Sequence, residues 1–152
     1  MTFARPNQAE NHHFSTAVVY RRQGIRVYQH QKFQWLKGGG LRIHFSIPLD
    51  KCSCPECGSR RLLAKEWRQR ELLGAPSGLK KTTLIVRFPK IECLCCHTVR
   101  QAPLPFARPR RHYTLQFEKY VLTLLKVMTV SDVSKLLDVN WDTINSIGRD
   151  SL

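Results

Sequence analysis

The stretch IECLCCHTVR (91–100) sets Cys93, Cys95, Cys96 and His97 within five positions, and KCSCPECG (51–58) adds Cys52, Cys54 and Cys57 upstream. Thiolates spaced by two residues in a tight turn can face one ion together, and a tetrahedral zinc site takes four such donors. Two pairs have that spacing, Cys54 with Cys57 and Cys93 with Cys96. They are read as the ligands of one structural Zn2+. Gly58, directly after the first pair, suits the turn. Tighter pairings remain open: Cys52 with Cys54, or Cys93 with Cys95. So does His97 as a donor, and reduced cysteines without metal are the competing reading. Four thiolates close the coordination sphere and leave no place for a reactive water, so the expected role of the ion is folding rather than catalysis. Arg60, Arg61, Lys90 and Arg100 stand close enough in sequence to offset its negative charge.

The two pairs are separated by 35 residues, enough for a strand, a turn and a return strand, the arrangement of a zinc ribbon. KKTTLIVRFP (80–89), rich in β-branched residues, reads as the return strand. RRLLAKEWRQRELLGAPSG (60–78) is ambiguous: local propensity favours helix, its place between the cysteine pairs favours strand, and GAPSG (74–78) reads as a turn. LRIHFSIPLD (41–50) alternates apolar and polar residues as a half-buried strand does, and Pro48 ends it. These elements define a ribbon domain over 41–104. Residues 1–40 read as a weakly structured N-terminal segment, with short strands possible at AVVY (17–20) and IRVYQ (25–29) and a flexible joint at GGG (38–40). APLPFARPRRHY (102–113) carries three prolines and reads as an extended chain, whose part 105–113 is a basic linker. Residues 114–152 switch to helical periodicity. Thr114 caps a first helix, Thr129 or Ser131 a second, and Asn140 a third after the break at DVN (138–140). The expected fold class is α+β: a small β-rich ribbon followed by a three-helix helix-turn-helix unit. No internal repeat is evident.

The chain has 25 Lys and Arg against 11 Asp and Glu, a net charge of +14, which points to a polyanionic partner and above all to nucleic acid. The excess is uneven. Residues 58–112 hold 13 basic and three acidic side chains, whereas residues 113–152 hold four basic and five acidic ones. General phosphate affinity is therefore expected from the middle of the chain: from Arg60, Arg68, Arg70, Lys80, Lys81 and Arg87, and from Arg108, Arg110 and Arg111 in the linker. If the helical unit reads double-stranded DNA, the opening of its last helix supplies Asn140, Trp141, Asp142, Thr143, Asn145 and Ser146, with Arg149 nearer phosphate. The blander reading is a helical hairpin that only builds a core. No apolar run approaches the ~20 residues that span a bilayer, so no membrane role is expected. No secretory leader is seen, so a cytoplasmic location is the default, where reduced thiols suit metal binding. No nucleophile–base pair is visible.

The order of strand, C-P-x-C-G, basic hairpin, C-x2-C, VRQAPLPFARPRRHYTLQFEKYVL and MTVSDVSKLLDVNWDTINSI resembles the N-terminal half of ISL-type bacterial insertion-sequence transposases. The resemblance covers roughly residues 28–152. It implies a zinc ribbon on Cys54, Cys57, Cys93 and Cys96, a helix-turn-helix whose last helix faces DNA, and a role in transposition and DNA recombination at element ends. Family helix-turn-helix units often carry Ala and Gly where Ser134 and Asp138 stand here. In that family an RNase H-like domain with Asp, Asp and Glu follows, and the chain ends at Leu152 where it would begin. The resemblance thus implies a non-catalytic stretch that binds transposon terminal repeats without cutting them. The alternative is a zinc-stabilised interaction module, acting as a homodimer, as a partner of full-length transposase, or as a transcription regulator.

Overall fold

The computed structural model describes residue 21 and residues 23–25, 29–78 and 80–152. The strand expected at 17–20 lies outside them, as does most of 25–29. Five strands form one sheet: β1 (Gln29–Trp35), β2 (Leu41–Ser46), β3 (Leu62–Ser77), β4 (Lys80–Cys93) and β5 (Val99–Gln101). Their order is β1-β2-β4-β3. The β2–β4 pair is parallel and the others antiparallel, and β5 pairs with β4 at Lys90–Glu92, beyond the end of β2. Three helices follow: α1 (Leu115–Leu124), α2 (Val130–Leu137) and α3 (Trp141–Asp150).

The ambiguous segment is strand throughout. Leu62–Ser77 pairs with β4 from Leu62↔Cys93 to Ser77↔Lys80, so its helix-forming Leu, Ala, Glu and Arg residues yield to the ladder that joins the two cysteine pairs. GAPSG is mostly strand as well, and the chain reverses only after Ser77, through Gly78 at φ +66°. Residues 63–69 of β3 are exposed, and charged Lys65, Glu66 and Arg68 protect this outer strand from pairing with other chains. The strand ending expected at Pro89 also shifts: β4 runs through it to Cys93.

Two cores result. The first gathers Leu41, Ile43, Phe45, Leu72, Leu84, Val86, Phe88 and Ile91 with Phe106 and Ala107. Phe106 lies against Phe45, with ring centroids 5.6 Å apart. Residues 105–113 are thus not a free linker. Their apolar side chains are pulled onto the sheet, and their backbone follows β3: Leu73 N–H donates to His112 O at 2.8 Å, and Thr114 N–H to Leu73 O at 3.0 Å. The second core joins Tyr113, Phe117, Val121, Val133, Ile144 and Ile147, with Leu73 of β3 packed against it. The helices therefore dock on the sheet through a shared residue.

The N-terminal segment is also built in where it is described. Gln23 is buried, and its amide takes both backbone groups of Ala75, donating to the carbonyl at 2.8 Å and accepting from the N–H at 2.9 Å. Ile25 is fully buried in the first core. Gly38–Gly40 is not a joint between units but the reversal between β1 and β2, closed by Leu36 N–H to Gly40 O at 2.7 Å.

Candidate metal centre and nucleic-acid interface

At the far end of the β3–β4 hairpin the chain makes the same turn twice. Gly58 N–H donates to Cys54 O at 2.9 Å, and Cys54 N–H to Ser59 O at 2.9 Å. In the second turn His97 N–H donates to Cys93 O at 3.0 Å, and Cys93 N–H to Thr98 O at 3.0 Å. The fifth residue of each has positive φ, +74° at Gly58 and +60° at His97. CPECGS and CLCCHT are therefore one six-residue motif used twice, a repeat hidden in the sequence because little beyond the cysteines matches.

The Sγ atoms of Cys54, Cys57, Cys93 and Cys96 all lie within 4.8 Å of one another. Cys54–Cys96 is 3.6 Å and Cys57–Cys93 is 3.5 Å. Sulfurs at ~2.3 Å around a tetrahedral zinc are ~3.8 Å apart along each edge, so the four already stand near a ligand shell. Among the described residues this is the one group of metal-ligating side chains so gathered. Cys95 is exposed and lies outside this group. Cys52 is buried, its Sγ 3.5 Å from Pro48 O. His97 occupies the position of Gly58, and its contribution is its backbone.

The turns favour thiolate at two positions. The Cys96 thiol is held down to about 6 by the Thr98 hydroxyl, 3.2 Å from its sulfur, and by the Thr98 N–H. Cys93 is lowered by the Cys96 N–H, aided by that of Cys95. At Cys57 the Ser59 N–H works the same way, but the neighbouring Cys93, Cys96 and Cys54 thiols outweigh it and push the group up to about 12. Arg100 pairs with Glu56 at 3.4 Å, a cation held beside the first turn.

Because a residue with a Cβ is strained at the φ of His97 by ~1 kcal/mol or more, His97→Gly is expected to raise stability by about 1 kcal/mol and leave metal content unchanged. Chemical denaturation and metal analysis of the same preparations check this. A loss of metal would make the imidazole a ligand.

The helical unit has the geometry of a helix-turn-helix. Thr129 caps α2, accepting from Asp132 N–H at 3.2 Å, and Asn140 caps α3, accepting from Asp142 N–H at 2.8 Å. Asp138 takes the left-handed conformation at φ +52° between them. Ser134 Oγ donates to Val139 O at 2.6 Å, so the two departures from the family pattern are accommodated within one closed turn. On α3, Trp141, Asp142 and Arg149 are exposed, while Asn145 and Thr143 are half-buried. With its amide oxygen toward Arg149, Asn145 accepts from Nη2 at 2.6 Å and Nε at 3.2 Å. Ser146 faces Arg111 instead, at 3.4 Å.

The basic residues named above do not form one surface. Arg111 binds Asp150 at 2.6 Å, and Arg108 makes a two-pronged pair with Glu118 at 3.0 and 3.1 Å. These two linker arginines fasten the chain to the helices, while Arg110 is exposed at φ +63°. Arg70 donates to Arg111 O, and Arg68 pairs with Glu66 at 3.3 Å. Arg87 lies over the Trp67 ring at 5.0 Å, and Arg60 is exposed beside the first cysteine turn. Lys80 and Lys81 stand at the opposite end of the hairpin. Across the 14 residues of β4 the cysteine cluster and this end are roughly 40 Å apart.

Among the described residues no helix is long and apolar enough to cross a membrane. A family model for the zinc-finger of transposase IS204/IS1001/IS1096/IS1165 matches residues 50–96, and one for the helix-turn-helix domain of transposase family ISL3 matches residues 102–150. No match was found among the curated proteins or among the solved structures. The two matched stretches follow closely on one another and together cover more than half of the chain, one holding the cysteine cluster and the other the three helices. The chain belongs to the ISL3 transposase family, of which it carries the zinc-ribbon and helix-turn-helix domains.

Proposed function

We propose that this chain recognises the terminal inverted repeats of an insertion sequence as duplex DNA, with Zn2+ held by Cys54, Cys57, Cys93 and Cys96. When bound, the ion supplies no reaction chemistry; it ties the ends of β3 and β4 together. The observation that carries the reading is the presentation of α3: its outward Trp141, Asp142, Asn145 and Arg149 are displayed on a unit locked to a basic sheet through Leu73, Arg70 and Arg111. The long hairpin carries Arg60 and Lys80 at opposite ends. Their separation is comparable to one turn of B-DNA, about 34 Å, so one face of a duplex can meet both. The proposed task is binding rather than strand cleavage, in the bacterial cytoplasm with the nucleoid. Glu56, Glu66, Glu71, Glu92, Glu118 and Asp150 are each engaged by a Lys or Arg rather than converging.

Mobility shifts with an element end and a scrambled duplex, at several salt concentrations, test this. The expected result is an end-duplex preference of about 1,000-fold or more at physiological salt. Equal, steeply salt-dependent binding of both would remove sequence recognition. A second reading, pairing with another transposase chain, draws on the near-neutral helical unit and exposed Val127 and Leu136. Stable dimers without DNA, together with no shifted duplex, would support it instead.

A further inference from the structure

The helical unit is poorly equipped to hold phosphate by itself. Its four basic side chains are outnumbered by five acidic ones, and Asp138 and Asp142 flank the turn that leads into α3. A recognition helix needs cations flanking it, because phosphate contacts set register and supply most of the affinity. The sheet supplies them at that place. The β1–β2 and β3–β4 reversals abut the α2–α3 turn across a cleft of about 250 Å³, lined by Gly38–Gly40, Lys80, Lys81 and Leu136–Val139. Lys81 Nζ donates to Asp138 O at 3.2 Å and fixes the sheet end to the turn. Beside it Lys80 lies over the exposed Trp35 ring at 5.6 Å, and Lys37 is exposed at the β1–β2 reversal. Asn140 and Trp141, the start of α3, come two and three residues after Asp138.

We infer that the two sheet reversals form a wing beside the recognition helix, in which Lys37 and Lys80 bind duplex phosphates flanking the groove that α3 enters and Lys81 positions the wing. Trp35 orients Lys80 by a cation–π contact. Lys37 and Trp35 were not among the residues expected from sequence to meet DNA. They lie near residue 40, far along the chain from the helices, and only the fold brings them to α3. The inference rests on the DNA-recognition reading, which it deepens by assigning the backbone contacts of the same site.

The test compares the full chain with its Lys37→Gln/Lys80→Gln variant on an element-end duplex and on a scrambled duplex, across a salt series. Each phosphate contact contributes about 0.9 to the slope of log affinity against log salt. The expected result is a slope reduced by about 1.8 on both duplexes, with the ratio between them retained and the melting temperature unchanged. An unchanged slope in a variant that still binds overturns the wing alone. If the parent chain binds neither duplex, the recognition reading fails and the wing with it.

Discussion

Cys54→Ser and Cys96→Ser are each expected to lose the bound zinc, whereas Cys52→Ser and Cys95→Ser retain one ion per chain. The geometry makes the distinction sharp. The first two remove a sulfur from a group gathered within 4.8 Å, while Cys95 is exposed and outside it and Cys52 lies against Pro48 O. The consequence for the fold should be large. Structural zinc contributes ~10–16 kcal/mol in small zinc-binding peptides, more than a whole domain's typical net stability. Here the ion would close the open end of a hairpin whose β3 strand is exposed over residues 63–69 and has little core to hold it. Metal analysis and far-ultraviolet circular dichroism of each variant, and of the parent with a strong chelator, check both effects. Loss of strand signal near the cysteines with helical signal retained is expected, since the second core contains no cysteine. Zinc retained in Cys96→Ser and lost in Cys95→Ser would move the ligand to the neighbouring position.

The cysteine spacing made this centre legible without a structure, because a two-residue gap is a local geometric requirement. The caps at Thr114, Thr129 and Asn140 were legible for the same reason: each side chain bonds a backbone N–H two or three residues ahead. What escaped depended on distant partners. Leu62–Ser77 has helical propensity, and only β4 along its full length makes it a strand. Residues 105–113 contain prolines that suit an extended chain, but nothing local says that Phe106 will sit on Phe45 or that Arg108 and Arg111 will be spent on Glu118 and Asp150. Gln23 bonds Ala75 across 52 positions of sequence. Composition likewise located the basic excess in residues 58–112 but not its division between two ends of a long hairpin.

At α3, the proposed recognition helix, Arg149→Ala is expected to weaken binding to an element-end duplex by about 1–3 kcal/mol, roughly 5- to 150-fold. Asn145→Ala is expected to fall in the same range, and the two losses should not add. Asn145 accepts two bonds from the Arg149 guanidinium, one turn of α3 away, and so holds the guanidinium in place. Removing the amide frees the arginine to adopt many rotamers, and part of what Arg149 contributed disappears with it. A coupling of about 0.5–3 kcal/mol in a double-mutant cycle follows from such contact. The cycle also separates two roles for the pair. If the guanidinium reaches a base edge, Arg149→Ala relaxes preference at one position and leaves the salt slope in place. If it reaches a phosphate, binding falls equally on end and scrambled duplexes and the slope drops by about 0.9. Fully additive losses would mean that the Asn145–Arg149 contact does not persist in the complex. Ser146→Ala provides the contrast: its hydroxyl faces Arg111 rather than outward, so it should change the docking of the chain on α3 and leave duplex preference intact.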